Sequence, residues 1–404
     1  MKYYWISIYS HVYCDVKDKL ALVYNTKNGS YVFTEKAESI KLIRQLNDEA
    51  SLGSVLIDEK NFMKNKCFVS QLAYYKMLEF QESNSETLKP VHIRPILNLQ
   101  REVERMKDIK DANLFSEIEK YLWNLDIYID EESVSRFIAL STCSNLHSYQ
   151  EIEDNKHIEL STIKSIADQL SGMNIYHIRL IISQSTSTSF VRKILSLFEQ
   201  YEGKISVVYP MSTATDLVTN NCVKRVILIT FPLETSFKLE NITNTDTSDK
   251  QYIFFVSNLD EVEEAQSIIL SANLLNFKYH PIYNGKNKKF IVSLFAKNAQ
   301  DILEERLVTM QEIFQHQKMN NNFFGKFTIM PNGDTYARVG ESIIGNTRFV
   351  SLRKMIATEM EENTAWRRIR RGEPCCHCVM QYLCPSLSNY EIELHQNNIC
   401  LVQN

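Results

Sequence analysis

Glycine is scarce in this chain, ten residues of 404, where the usual share of about 7% would be nearly three times as many. A glycine-rich loop that brings backbone N–H groups up to a phosphate chain is therefore not expected. There is no surplus of positive charge: 45 Lys and Arg face 49 Asp and Glu, for a net charge of −4, so no whole-chain field favours nucleic acid or anionic lipid. No window approaches the roughly 18 consecutive apolar residues of a membrane span. The opening residues, MKYYWISIYSHVY, lack a small-residue cleavage site, so a cytoplasmic protein without membrane or nucleic-acid partners is expected. The nine histidines show no HExxH or clustered spacing. Nine cysteines in a chain this long are too few for a disulfide scaffold, and the length suits two or three domains with full cores.

What is present is unevenly placed. Cys14, Cys67, Cys143 and Cys222 are scattered singly, whereas Cys375, Cys376, Cys378, Cys384 and Cys400 crowd the C-terminus. In a reducing compartment such crowding serves metals or chemistry more often than disulfides.

Residues 1–35 alternate apolar and polar through Tyr3–Tyr9, Leu20–Tyr24 and Ser30–Phe33, with an Asn28-Gly29 hairpin signal, which predicts one three-stranded antiparallel sheet. Helical spacing follows from Glu35 (Ile40, Leu42, Ile43, Leu46), and a second helix is expected over Val69–Phe80. A ribbon with helices on it is a winged-helix-like plan. The polar stretch Gln81–Thr87 before Lys89-Pro90 reads as a linker. A helical connector is expected over Gln100–Trp123. Strands are then expected at Arg136–Thr142, Tyr176–Ser183, Ile205–Tyr209, Lys224–Thr230, Tyr252–Ser257 and Phe290–Leu294, alternating with helices at Ser161–Leu170, Phe190–Tyr201 and Glu261–Ala272. That alternation predicts an α/β fold with a parallel sheet, an open sheet or a partial (β/α)6 barrel. Asn241–Asp249 reads as a polar loop. A hairpin over Phe327–Val339, turning at Pro331–Asp334, and a helix over Ser351–Arg370 precede the cysteines. The domains predicted are 1–90, 91–134, 135–322 and 323–404.

The strongest motif is PCCHCVMQYLCPSLSNYE, in which Cys375 and Cys378 form a CxxC pair and Cys384 follows. A tight turn aims two thiolates at one ion while distant residues close the shell, and Cys400 is the natural fourth ligand. Four thiolates suit zinc or an iron–sulfur cluster equally; a cysteine-rich turn without metal is the plainer alternative. Cys376 reads as a bystander. The run Arg367, Arg368, Arg370 and Arg371 reads as a solvated helix end.

MPNGDTYARVG (Met330–Gly340), IGN (Ile344–Asn346), Trp366-Arg367 and the CxxC-x5-C-P run together resemble the SPASM domain of radical S-adenosylmethionine (SAM) peptide maturases. SNYE, ending at Glu391, and KPVHIRPILNLQREVERMK (Lys89–Lys107) resemble a narrower group, the pseudo-radical-SAM/SPASM proteins of Bacteroidales-type ribosomal-peptide (RiPP) modification systems. The resemblance implies cluster ligands at two further positions, which here are Arg338 and Ser388, so the first auxiliary cluster is lost. The surviving set, Cys375, Cys378, Cys384 and Cys400, matches the second, a single 4Fe-4S cluster, with zinc the alternative. The radical SAM CxxxCxxC falls on Cys143, His147 and Gln150, where two thiolates are gone. The segment that meets the amino group of SAM falls on Ser183–Thr186, without its glycines. No SAM binding is expected, and Cys143 reads as a buried small hydrophobe.

Residues 1–90 resemble the PqqD-like element that captures the leader of a precursor peptide. Pairing is expected along Tyr3–Tyr9 or Ser30–Phe33, with pockets from the helix Lys36–Leu46. The resulting expectation is a catalytically inactive accessory that binds a precursor peptide, a partner maturase, or both. A divergent SPASM maturase passing electrons through its C-terminal cluster is the alternative, and a winged-helix regulator the third.

Overall fold

The computed structural model describes residues 2–84, 87–93, 117–146, 157–213, 223–233, 250–295 and 298–394. His147, Gln150, Cys222, Cys400, the loop 241–249 and most of the expected connector lie outside them.

The N-terminal module contains strands β1 (Tyr3–Ile8), β2 (Val12–Lys17), β3 (Leu20–Asn25), β4 (Tyr31–Thr34), β5 (Ser54–Asp58) and β6 (Leu78–Ser83), with helices Ala37–Asn47 and Glu59–Tyr74. The strands form two antiparallel sheets of three, ordered β5-β1-β6 and β2-β3-β4, instead of one. Alternation tells which side chains face the core but not which strands pair; here the turn Val12 N to Tyr9 O carries the chain from one sheet to the other. The second helix starts earlier than expected because Asp58 caps it, accepting from Asn61 N at 2.7 Å. It ends at Tyr74, and Lys76 at φ 56° turns the chain into β6, so the expected linker begins inside a strand. Ile6, Ile8, Val12, Val23, Ile43, Leu46, Val69 and Leu72 form the module's core.

The large sheet has nine strands. Strands β7 (Asn124–Tyr128), β8 (His177–Ile181), β9 (Ile205–Pro210), β10 (Lys224–Thr230), β11 (Lys250–Val256) and β12 (Phe277–Pro281) run parallel in consecutive order. Among the described crossover helices, Leu160–Gln169 and Thr188–Leu197 pack on one face of this sheet, as in barrels. On the other side of β7, β13 (Lys326–Ile329) pairs parallel, and β14 (Asp334–Tyr336) and β15 (Gly345–Asn346) continue antiparallel. Barrel-like unit and C-terminal lobe thus share one sheet, which begins inside the predicted domain 91–134, just after the expected helical connector.

Two expected strands are helices. Phe290–Leu294 falls in the helix Lys288–Ser293, and the edge strand is instead β12. Arg136–Thr142 falls in the helices Glu131–Phe137 and Ala139–Thr142. The Asp130 side chain accepts from Ser133 N at 2.7 Å and starts this segment, and Cys143 at φ 62° ends it. Val134, Phe137, Ile138, Ala139 and Leu140 are all buried, and a short run buried on every side shows no period by which helix and strand are told apart.

This helical segment decides how the sheet is filled. Leu125, Ile127, Ile178, Leu180, Ile205, Val207 and Phe327 point to one face and pack with the helices Leu160–Gln169, Thr188–Leu197 and Leu352–Thr358. Tyr128, Ile181, Val208, Leu228, Ile253 and Phe255 point to the opposite face, where Phe137, Ile138 and Leu140 lie against them. Tyr128 Oη ties the segment down, donating to Phe137 O at 3.0 Å.

The expected helix Ser351–Arg370 is helical only over Leu352–Thr358; a π turn (Glu359–Asn363) and a 3-10 turn (Ala365–Arg367) follow, and Thr364 at φ 60° separates them. Tyr13, Leu22 and Tyr24 of the N-terminal module pack on Ile302, Leu303, Val308, Ile313, Val379, Met380, Leu383 and Cys384. The cysteine lobe and the module therefore bury one shared core. No helix among the described residues is long and apolar enough to cross a membrane.

Candidate functional site

The C-terminal ends of β7 and β8 carry a polar knot. Asp130, 1% exposed, accepts from Ser183 N (3.1 Å) and from the Thr186 hydroxyl through the same oxygen, while its other oxygen caps the buried helix. Ser183 and Ser185 bond each other at 2.7 Å. The segment Ser183–Thr186, placed by resemblance at the amino group of SAM, is thus engaged by the chain's own carboxylate. Asp130 was not singled out from sequence; its D-x-x-S spacing before an apolar run is the cap signature that points to it.

Cys143 is 3% exposed at the end of the buried helix. Its carbonyl accepts from Tyr283 N at 2.8 Å. Burial first, and Glu393 second, push its thiol far above the ordinary value, so the free thiol is held protonated. His147 and Gln150 lie outside the described residues.

Arg338 and Ser388, fifty residues apart in sequence, are brought together. Arg338 Nε donates to Asn389 Oδ1 at 2.9 Å, and its Nη2 pairs with Glu393 at 2.5 Å; the Arg338 side chain is only 4% exposed. Ser388 caps the helix Asn389–Glu393, its hydroxyl bonded to Glu391 at 3.0 Å and accepting from Glu391 N. An arginine–carboxylate bridge holds the hairpin to this helix and a capping box starts the helix, where the resemblance places two metal ligands.

The third cluster position keeps its thiols. Cys375 and Cys384 are buried and Cys378 is half-buried; Cys375 lies in the 3-10 turn Cys375–His377, and Cys378 and Cys384 pack into the shared core. Arg370 is correspondingly not a solvated helix end. It forms a bidentate pair with Glu391 (2.6 and 3.0 Å) and donates from Nη1 to Cys375 Sγ at 3.7 Å. Burial opposes its charge, but Glu391 foremost, then Cys384 and Cys375, hold the guanidinium protonated more firmly than usual. Met380 N donates to Cys378 Sγ at 3.4 Å. A buried cation and N–H donors aimed at sulfur favour thiolates, as an anionic thiolate-bound centre requires, so the donor chemistry fits, but the sulfurs of Cys375, Cys378 and Cys384 do not converge within 4.8 Å of one another. Cys400 lies outside the described residues. Cys376, read as a bystander, groups instead with Glu373 and His377, whose ligand atoms all lie within 4.8 Å of one another on the surface.

In the N-terminal module, β1 is covered by β5 on one side and β6 on the other. Tyr3–Tyr9 therefore offers no free edge, a correction to the expected pairing. The far edge of β4 (Tyr31–Thr34) carries no further strand among the described residues, and neither does that of β5. Beside β5 a groove of about 530 Å³ runs between it and the helix Ala37–Asn47, lined by Tyr3, Lys41, Leu42, Leu56 and Ile57 among others. Leu56 is 43% exposed there.

No family model matches the chain, and no curated protein does. Among solved structures it is similar to SuiB of Streptococcus suis bound to S-adenosylmethionine, at 10% identity and a TM-score of 0.42, covering 98% of this chain and 99% of that one. It is also similar to anSMEcpe with bound AdoMet, at 12% identity and a TM-score of 0.45, covering 68% of this chain and 92% of that one. A further match is anSMEcpe with bound AdoMet and Cp18Cys peptide, at 10% identity and a TM-score of 0.40, covering 68% and 95%.

Proposed function

We propose that this chain is a catalytically silent accessory of ribosomal-peptide maturation, a degenerate radical-SAM/SPASM body that binds a precursor peptide and a partner maturase. The observation that carries the reading is the filled inner face of the parallel sheet. Phe137, Ile138 and Leu140 occupy the face on which the cofactor of a barrel enzyme would lie, and Asp130 holds the Ser183–Thr186 segment. Two further points support it: the thiol of Cys143 is buried and protonated, and Arg338 replaces a ligand with a salt bridge. Cys375, Cys378, Cys384 and Cys400 are assigned to one 4Fe-4S cluster, or to zinc, which when bound supplies a rigid cross-link to the lobe and, as iron–sulfur, a one-electron carrier.

The peptide is placed in the groove beside β5. An extended segment pairs with the strand edge, and apolar side chains enter between Leu42 and Leu56. Calorimetry on the full chain, with short peptides encoded beside its gene, tests this. Binding at micromolar Kd, about −8 kcal/mol, is expected, with at least a tenfold loss in Leu56→Asp. The reading fails if no such peptide or neighbouring maturase binds, or if Leu56→Asp binds unchanged. Deleting residues 1–90 is a poor probe, because it would strip Tyr13, Leu22 and Tyr24 from Val379, Met380 and Leu383.

A further inference from the structure

The same sheet face changes character toward the N-terminal ends of its strands. Strand register sets Asp126 beside Arg179, Arg179 beside Ser206 and Ser206 beside Lys224, across four neighbouring strands. Lys278 continues the row on β12, opposite Ile253, and Lys326 lies on β13, opposite Asn124. Together they border a cavity of about 660 Å³, with Leu140 of the buried helix at its inner end. That volume lies within the roughly 300–1,000 Å³ of small-molecule sites.

The charges on this row do not balance. Asp126, 2% exposed, accepts from both Arg179 (Nε to Oδ1, 2.5 Å) and Lys326 (3.0 Å). Burial alone would raise its carboxyl, but the two cations hold it well below the carboxylate range. One carboxylate thus serves two cations, and burial pushes Lys326 down. Lys224 and Lys278 stand exposed on the rim. The histidines add no charge at neutral pH: burial lowers His177 and takes His280 down to about 4. With Arg225, five cations therefore line a cavity that holds one carboxylate. Apolar residues would seal the end of a sheet at lower desolvation cost, and a purely structural ion pair would be neutral.

We propose that this cavity binds a small polyanion carrying two phosphoryl groups, as free diphosphate or as a nucleotide. Each phosphoryl group brings roughly −1.5 to −2, so two come close to the surplus of four, whereas a single carboxylate leaves most of it uncompensated. Arg179 turns Nε and Nη2 to Asp126, and Lys326 bonds the same carboxylate, which leaves Lys224 and Lys278 on the rim as the main point-charge donors.

The full chain is titrated calorimetrically with inorganic pyrophosphate, ADP and citrate at physiological salt. Saturable one-site binding of pyrophosphate is expected, at least fivefold tighter than citrate and at least tenfold weaker in the Lys224→Gln/Lys278→Gln double variant. Tighter binding of ADP than of pyrophosphate assigns the site to a nucleotide; the reverse order assigns it to the free anion. Absence of saturable binding to the wild type, equal affinity for citrate, or unchanged affinity in the double variant overturns the proposal. Should the double variant lose its thermal transition, either single variant carries the test, at an expected threefold loss.

Discussion

Replacing Arg338 by Ala tests whether an ion pair has taken over the cross-linking that cluster ligands would provide. The Arg338 side chain is 4% exposed, and it reaches Asn389, Glu393 and, at 3.6 Å, Glu341. Removing one partner of a buried pair costs about 3–5 kcal/mol. The low end, about 3 kcal/mol, is expected because Glu341 keeps a second partner in Arg368. Urea unfolding followed by tryptophan fluorescence reads the effect, since Trp366, 1% exposed and packed on Phe327, lies in the same lobe. A companion, Arg338→Met with Glu393→Leu, replaces the pair by apolar side chains and is expected to regain most of the loss. If Arg338→Ala changes stability by less than about 1 kcal/mol, the bridge does not hold the hairpin to the last helix and the reasoning is refuted.

Cys384→Ala is expected to lose bound iron or zinc and to lower the melting temperature of the lobe, whereas Cys143→Ala and Cys376→Ala keep wild-type metal content; equal loss in all three by elemental analysis contradicts the assignment. Ser388→Ala removes a helix cap and is expected to cost about 1 kcal/mol in the same unfolding assay; no change would mean that the capping box is not formed in solution. Glu359 predicts a pH dependence: it is 0% exposed, Oε1 accepts from Trp366 N at 2.9 Å, and Oε2 has no hydrogen-bond partner among the described residues. Burial raises its carboxyl from 4.5 to about 7, so the native state holds a proton that the unfolded chain releases. Its stabilising contribution is complete below about pH 4.5 and is lost as pH rises through about 7, by up to about 3 kcal/mol. Glu359→Gln should flatten that decline, and identical pH profiles for the two proteins would refute it.

Much of this architecture was legible because its signals are local. The runs Ile205–Tyr209 and Lys224–Thr230 are short, apolar and β-branched, as buried parallel strands are, and Ile40, Leu42, Ile43 and Leu46 mark a helix face directly. The turn at Asn332-Gly333 bends as its residues demand, with Gly333 at φ 90°. What escaped depends on contacts distant in sequence. Phe137–Leu140 is apolar and buried all round because sheet residues surround it, and its helical state follows from the Asp130 cap. The partners of β1 come from residues 54–58 and 78–83, so its loss as an edge is invisible in residues 1–35. Arg370 looked solvated in its own run, and its burial depends on Glu391 arriving from the final helix. The basic row is assembled from single residues on separate strands, each unremarkable alone.

The proposed function rests on the chain's own helix and carboxylate occupying the face that radical SAM chemistry would need. The most direct measurement is chromatographic assay of 5′-deoxyadenosine after anaerobic cluster reconstitution of the full chain, with SAM and a strong reductant. The account predicts no product above the protein-free control and no saturable SAM binding by calorimetry in the same preparation. Product formed in proportion to protein, or stoichiometric SAM binding, would contradict it.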